Sequence, residues 1–372
     1  MRTIPHITIL QRSRSRGLSL VELLVAAAIG IIASLVIFQV FAVFEGQKRT
    51  TTSGGEAQTS GTLSLFTIER DLRQAGYGFN TPDLVGCTLQ GWDQQTGAAI
   101  TPTPLVPALI TQGVGSTPGV AGAPDTLRVA FGNGDALPAP LSILVGSLGL
   151  TDDFVRTVNA LYGFQPGDHV VIAEPGRPCT LAQINQIPPA TGDNTRLNLQ
   201  AGTYVNPTSG ATLPTRYNNP AGLGTAYTTN GKVYNIGPTP IIKDFTVQSG
   251  QLLSQAFGTG APVPNFDNIV QLQAQYGKDT NTDGTVDVFD EITPATTTDW
   301  AAVLAIRVAV VARSGLYEKE EVSPATIRLW EDSATPPTTT GPVWTLTSDE
   351  RHYRYKVFQT VIPLRNMIWR PY

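Results

Sequence analysis

The chain has 372 residues, enough for one or two domains with real cores, and its 36 glycines and 28 prolines suit a loop-rich β protein better than a helical bundle. The formal net charge is −4, and no basic patch stands out that would hold phosphates, which argues against nucleic acid as a partner.

In chain order, the first informative stretch runs from Arg12 to Phe44. Arg12, Arg14 and Arg16 stand just ahead of Gly17, and the run Leu23–Phe44 carries no charge. A helix of that length covers roughly 33 Å, close to the ~30 Å hydrocarbon core of a bilayer. Lipid offers no partners to an unpaired backbone, so the segment is expected to cross as a helix with its basic flank inside. Glu22 lies at the lip of the apolar run, where a carboxylate costs on the order of 3 kcal/mol unless it is partnered, and so it is a candidate functional residue. A secretory signal peptide fits poorly, because the apolar run is full length and the small residue, Gly17, precedes it.

Gly17-Leu18-Ser19-Leu20-Val21-Glu22 resembles the processing signal of type IV prepilins. The resemblance implies that a prepilin peptidase cuts between Gly17 and Leu18. Leu18 then becomes the N-terminal, N-methylated residue. Glu22 takes the fifth position of the mature chain, where it can neutralise the new amine of its own or a neighbouring subunit during assembly. Leu18 departs from the usual Phe or Met, and the helix lacks the mid-helix proline of many major pilins. Removing the leader takes away four arginines and leaves 21 basic against 29 acidic side chains. The alternative is a single-pass anchor with a chance Gly and Glu.

Beyond the apolar run, Gly46, Gly54, Gly55 and a Thr/Ser run are weak helix formers and predict a bend or loosened stretch near 50–55. Helical periodicity returns at Leu65, Ile68, Leu72 and Ala75, with Glu69 and Arg73 as an i, i+4 pair, and Gly76 and Gly78 predict the stop. The expected organisation is therefore a leader at 1–17, a transmembrane and assembly helix at 18–45, the second half of that helix at 46–78, and a β-rich globular domain at 79–372. The fold class is α+β: a pilin-like long helix packed on an antiparallel sheet, with large loop insertions.

Cys87 and Cys179 both follow the apolar helix. In an exported, oxidising setting they predict a disulfide, the alternative being two buried free thiols. Short strands are predicted at Thr126–Phe131, His169–Glu174, Cys179–Ile184 and Arg196–Leu199, with a Pro-Gly-Asp turn at 166–168. Longer ones follow at Lys232–Ile236, Ile241–Gln248, Ile269–Tyr276, Ala305–Ala312 and Tyr355–Leu364. Arg307 interrupts the apolar run Ile306–Val311, a pattern expected of a strand covered on at least one face.

Ile68–Gly78, Tyr276-Gly277 with the Asp-rich loop after it, Trp300 ahead of Ile306-Arg307-Val308, and Thr360–Asn366 resemble the PilW family of minor pilins. That resemblance implies a subunit that primes pilus assembly and sits at or near the tip, serving adhesion and twitching motility. Its partners would be other minor pilins, the major pilin and a tip adhesin. It also implies an inner-membrane protein with a periplasmic domain before assembly. A J-like minor pseudopilin of a type II secretion system shares the leader and helix, and a membrane-anchored exported binding protein is the third reading.

Asp279–Glu291 carries the pattern D-x-[DN]-x-[DN]-G of calcium loops. Asp279, Asn281, Asp283, Thr285, Asp287 and Asp290 fall at the ligand positions for a structural Ca²⁺, although Asp290 replaces the usual bidentate Glu. The alternative is a hairpin loop that binds nothing. Catalytic motifs are missing: His6 leaves with the leader, His169 and His352 lie on or near predicted strands, and there is no HExxH, G-x-S-x-G or Walker A. The chain reads as a structural subunit, not an enzyme.

Overall fold

A computed structural model describes residues 19–134, 139–144, 149–189, 193–258, 260–330 and 341–368. The chain divides between Ser53 and Gly54 into two compact units. Gly17 and Leu18 lie outside the described residues. A long helix, α1, runs from Leu20 to Leu72, so the helix persists through 50–55, where weak helix formers predicted a loosened stretch. Thr50 and Thr51 donate their hydroxyls to the Gly46 and Gln47 carbonyls, and Thr59 does the same to Gly55, so these side chains stay inside the helical pattern. The chain leaves the helix at Gly76 and Gly78, both at positive φ as the stop requires.

In the unit after Ser53, the last turns of α1 bury one face: Ala57, Gly61, Ser64, Ile68, Asp71 and Leu72. The spacing is that of a single helical stripe. It packs with a four-stranded antiparallel sheet ordered Val288–Asp290, Ile269–Lys278, Val303–Arg313, Tyr355–Pro363. A five-stranded antiparallel sheet closes the same core with Val129, Phe245 and Leu252. Its order is Val263–Asp267, Gln251–Ala256, Ile241–Gln248, Thr126–Phe131, Ala108–Thr111. The central strand Val303–Arg313 is buried on both faces, because Ala309 and Val311 meet Leu329 and Trp330 behind it. Arg307 is accommodated there by stacking on Trp330 and Phe289 and by donating Nε to the Gln275 amide oxygen at 2.7 Å.

A second body of structure lies in the middle of the sequence. Its six-stranded sheet is ordered Thr103–Pro104, Thr88–Gln90, Cys179–Gln183, His169–Ala173, Lys232–Gly237, Leu141–Ser142. Thr88–Gln90 runs parallel to Cys179–Gln183, a departure from the expected antiparallel pairing. Val170 and Ile172 point into one core with Val155, Leu197 and Tyr227, and Val171 and Ala173 into another with Phe79, Leu84 and Leu89. Cys87 and Cys179 form a disulfide with Cα atoms 5.9 Å apart. It ties the segment just after α1 to this sheet across a sequence separation of 92, which in the chain-entropy account contributes about 4–5 kcal/mol.

Candidate functional site

The N-terminus of α1 is built by a reciprocal cap. Ser19 Oγ accepts from the Glu22 N–H at 3.2 Å, and Glu22 Oε2 accepts from the Ser19 N–H at 3.3 Å. This is the capping box S-x-x-E, which satisfies two otherwise orphaned donors and places a carboxylate where the helix dipole favours one. Ser19 is a functional residue that reading the segment for membrane passage missed, although the S-x-x-E spacing was there to find. The box fixes the Glu22 carboxylate at the first turn of α1, four positions after Leu18 in the sequence.

The next turns have no cover of their own. Every large apolar side chain from Leu20 to Phe44 is exposed, and the helix is long and apolar enough to cross a membrane. Burying each is worth about 2 kcal/mol, so more than a dozen of them come to about 30 kcal/mol, well above the 5–15 kcal/mol that holds a whole domain together. This surface needs lipid or protein around it.

In the second unit, the segments that resemble PilW meet in space. Asn366 Nδ2 donates to the Gln74 and Ala75 carbonyls, both at 3.0 Å, and closes the C-terminal end of α1. The Asn80 side chain returns a bond to the Asn366 carbonyl at 2.8 Å. Asp71, almost fully buried, is paired with Lys243 and, at 3.2 Å, with Arg70. Gly61 lies against Phe358 so closely that a Cβ would overlap the ring. Tyr276 packs edge-on against Trp300 with centroids 5.6 Å apart, and its hydroxyl accepts from the Ile110 N–H at 2.7 Å. These residues hold the helix seat together; none converges with a nucleophile or base.

The acidic loop is satisfied from within. Asp279 accepts from the N–H groups of Thr282 and Gly284, at 2.6 and 2.8 Å, and Asp283 from Thr285. The Thr285 N–H and hydroxyl hold the Asp283 carboxyl below its usual value. Asp287 accepts from Thr280 and Asn281. Asp290 is drawn onto Lys278 Nζ at 2.6 Å. Among the described residues no group of three or more His, Cys, Asp or Glu is placed to hold a metal. Asp279, Asn281, Asp283, Thr285, Asp287 and Asp290, the positions read as calcium ligands, lie together in this loop.

His169 is buried beside Tyr217, and burial lowers its imidazole to about 4. His352 stacks on Tyr317 and bonds the Glu318 carbonyl, a structural setting.

Residues 241–366 match the family model of Type IV Pilus-assembly protein W, and residues 12–38 match the prokaryotic N-terminal methylation motif. The first match spans the whole four-stranded sheet and three strands of the five-stranded one and ends on Asn366; the second contains Ser19 and Glu22. No curated protein and no solved structure matches the chain. The Ser19–Glu22 cap, the uncovered apolar helix and the shared C-terminal seat agree with these two matches, which support a PilW-like type IV pilin with a prepilin-type signal.

Proposed function

We propose that this protein is a minor pilin that primes assembly of a type IV pilus and lies at or near its tip, as a structural subunit without catalytic activity. Before assembly it is held by α1 as a single-pass inner-membrane protein with its globular unit in the periplasm. A prepilin peptidase cuts between Gly17 and Leu18, and the Leu18 amine is N-methylated. The other minor pilins, the major pilin and a tip adhesin are its partners, and in the fibre neighbouring helices take the place of lipid around Leu20–Phe44.

The observation that carries this reading is the capped carboxylate of Glu22 at the start of an uncovered apolar helix, directly after the basic flank and Gly17. In the apolar phase a cationic amine needs a counter-charge, and Glu22 is the acid nearest to it. The test is the intact mass of the protein from membranes of cells with and without prepilin peptidase. A chain beginning at Leu18, one methyl heavier, is expected only where the peptidase is present. An unprocessed chain in both strains would reduce the protein to a membrane anchor with an exported domain. Replacing Glu22 by Gln should leave membrane insertion intact and lower incorporation into sheared pili; full incorporation would refute the charge pairing.

A further inference from the structure

We infer that the cleft between the turn at Gln165–Asp168 and the hairpin carrying Tyr204 is a binding site for a neutral saccharide. The inference goes beyond the assembly role and holds wherever in the fibre the subunit sits.

The cleft has a volume of about 540 Å³, within the range of small-molecule sites. One wall is the turn. Asp168 Oδ2 accepts from the Gln165 N–H at 2.9 Å and from Asn235 Nδ2 at 2.8 Å, which fixes the carboxyl. Its other oxygen has no partner among the described residues, although the residue is only 8% exposed. Burial raises the Asp168 carboxyl above its usual value, against the Asn235 and Gln165 donors that favour its charged form. The Gln165 amide, exposed above it, is equally without a side-chain partner.

The opposite wall is the antiparallel pair Thr203–Val205 and Thr212–Pro214. Tyr204 leans its ring over Gly167, where any Cβ would overlap it and where φ of +95° already favours glycine. Asn206 uses its amide oxygen on the Thr208 and Ser209 N–H groups, which leaves its Nδ2 donors free to face a ligand.

These groups define the chemistry of the occupant. Among the described residues the lining holds no lysine or arginine and one carboxylate, Asp168, so an anionic ligand would meet an uncompensated like charge. Asp168, an acceptor, and Gln165, which offers both an acceptor and a donor, stand opposite the Asn206 donors, and the Tyr204 hydroxyl can act as either. A ligand bearing several hydroxyls, each both donor and acceptor, matches that mixture. The electron-rich face of an aromatic ring suits the C–H face of a sugar ring. The cleft also lies outside the two segments that match known families, so it is not a feature those matches bring with them.

The test uses the full-length protein in a detergent without a sugar headgroup. It is applied to an array of neutral oligosaccharides (glucans, mannans, galactans and N-acetylhexosamine oligomers) with sialylated and sulfated counterparts alongside. The expected result is retention of at least one neutral oligosaccharide. Calorimetry should show its Kd weakened tenfold or more by Tyr204→Ala and by Asp168→Asn. Tyr204 stands on an exposed hairpin, so its variant should keep the wild-type melting temperature; Gln165→Ala serves if Asp168→Asn does not fold. Retention of no neutral oligosaccharide, retention of acidic ones alone, or an unchanged Kd in Tyr204→Ala and Gln165→Ala would each overturn the site.

Discussion

Asp125 and His169 pull the acid response of the globular unit in opposite directions. Asp125 is fully buried, and burial pushes its carboxyl up to about 6, against the N–H groups of Gly113 and Ala274 that favour the charged form. A carboxyl raised in the folded state contributes stability that is complete below its unfolded value of 3.8 and is lost as pH rises through 6. His169 is the reverse case: lowered from 6.5 to about 4, it contributes stability above 6.5 that is lost as pH falls toward 4. At about 1.4 kcal/mol per pH unit, each effect is worth about 3 kcal/mol, so in the wild type they largely offset one another. Thermal melts between pH 4 and 6.5 should therefore fall more steeply with acid in Asp125→Asn than in the wild type. His169→Gln should show the opposite slope, gaining stability on acidification; variants that both track the wild type would mean that neither group titrates in this window. The acidic loop makes a further case at this scale. The Lys278 ammonium sits on Asp290 at 2.6 Å, so a calcium ion that uses Asp290 would have to displace it. A site filled at a hundredfold excess over its Kd would add about 2.7 kcal/mol, so a rise in melting temperature on adding calcium would support the calcium reading and an unchanged one would leave the hairpin loop that binds nothing.

At the scale of elements, the seat of α1 depends on a few positions where backbone and ring come close. Gly61→Ala should force Phe358 to move and destabilise the protein by roughly 1–3 kcal/mol, the usual range for overpacking, in chemical denaturation. Lys243→Ala should cost more, about 3–5 kcal/mol, since it strips the partner from the buried Asp71. The double variant Asp71→Ala/Lys243→Ala should recover part of that loss; strict additivity would show that the pair is not coupled. The sequence made much of this layer legible. Thr126–Phe131 and Ile241–Gln248 were readable to the residue, because apolar side chains at a period of two must face a core. Gln251–Ala256 and Val263–Asp267 were not. In the first, Leu252 and Leu253 are adjacent and do not alternate; the second is mostly exposed at the edge of the sheet, and Pro264 argues against a strand. The one local signal was the two-residue turn Ser249-Gly250, both at positive φ, which joins Ile241–Gln248 to its partner. The sugar-sized cleft was beyond sequence reading altogether: Gln165, Tyr204 and Asn235 come from three separate segments, and only the fold brings them together. Asn366 shows the same limit, since nothing near it in sequence indicates a cap for a helix that ends at Leu72.

For the molecule as a whole, the division after Ser53 separates two solvents. Before it, the described chain is one helix whose apolar side chains all face outward. After it, the apolar side chains gather into continuous clusters, and a disulfide reinforces them. That contrast predicts different behaviour for the two parts in water. A chain beginning at Gly54 keeps the buried stripe of α1, both sheets of the helix seat and the Cys87–Cys179 bridge, so it should fold and remain monomeric without detergent. Leu63 and Phe66 stay exposed on its helix, but two adjacent side chains fall short of the several hundred Å² that drives association. The full-length chain should instead aggregate when detergent is removed, as about 30 kcal/mol of unburied helix seeks cover. Size-exclusion chromatography with light scattering distinguishes the cases. If the shortened chain forms dimers or larger species, part of its surface after Ser53 is an assembly contact in its own right. If the full-length chain stays monomeric without detergent, the apolar segment from Leu20 to Phe44 must find cover within its own molecule, and the membrane and fibre roles assigned to it would fall together.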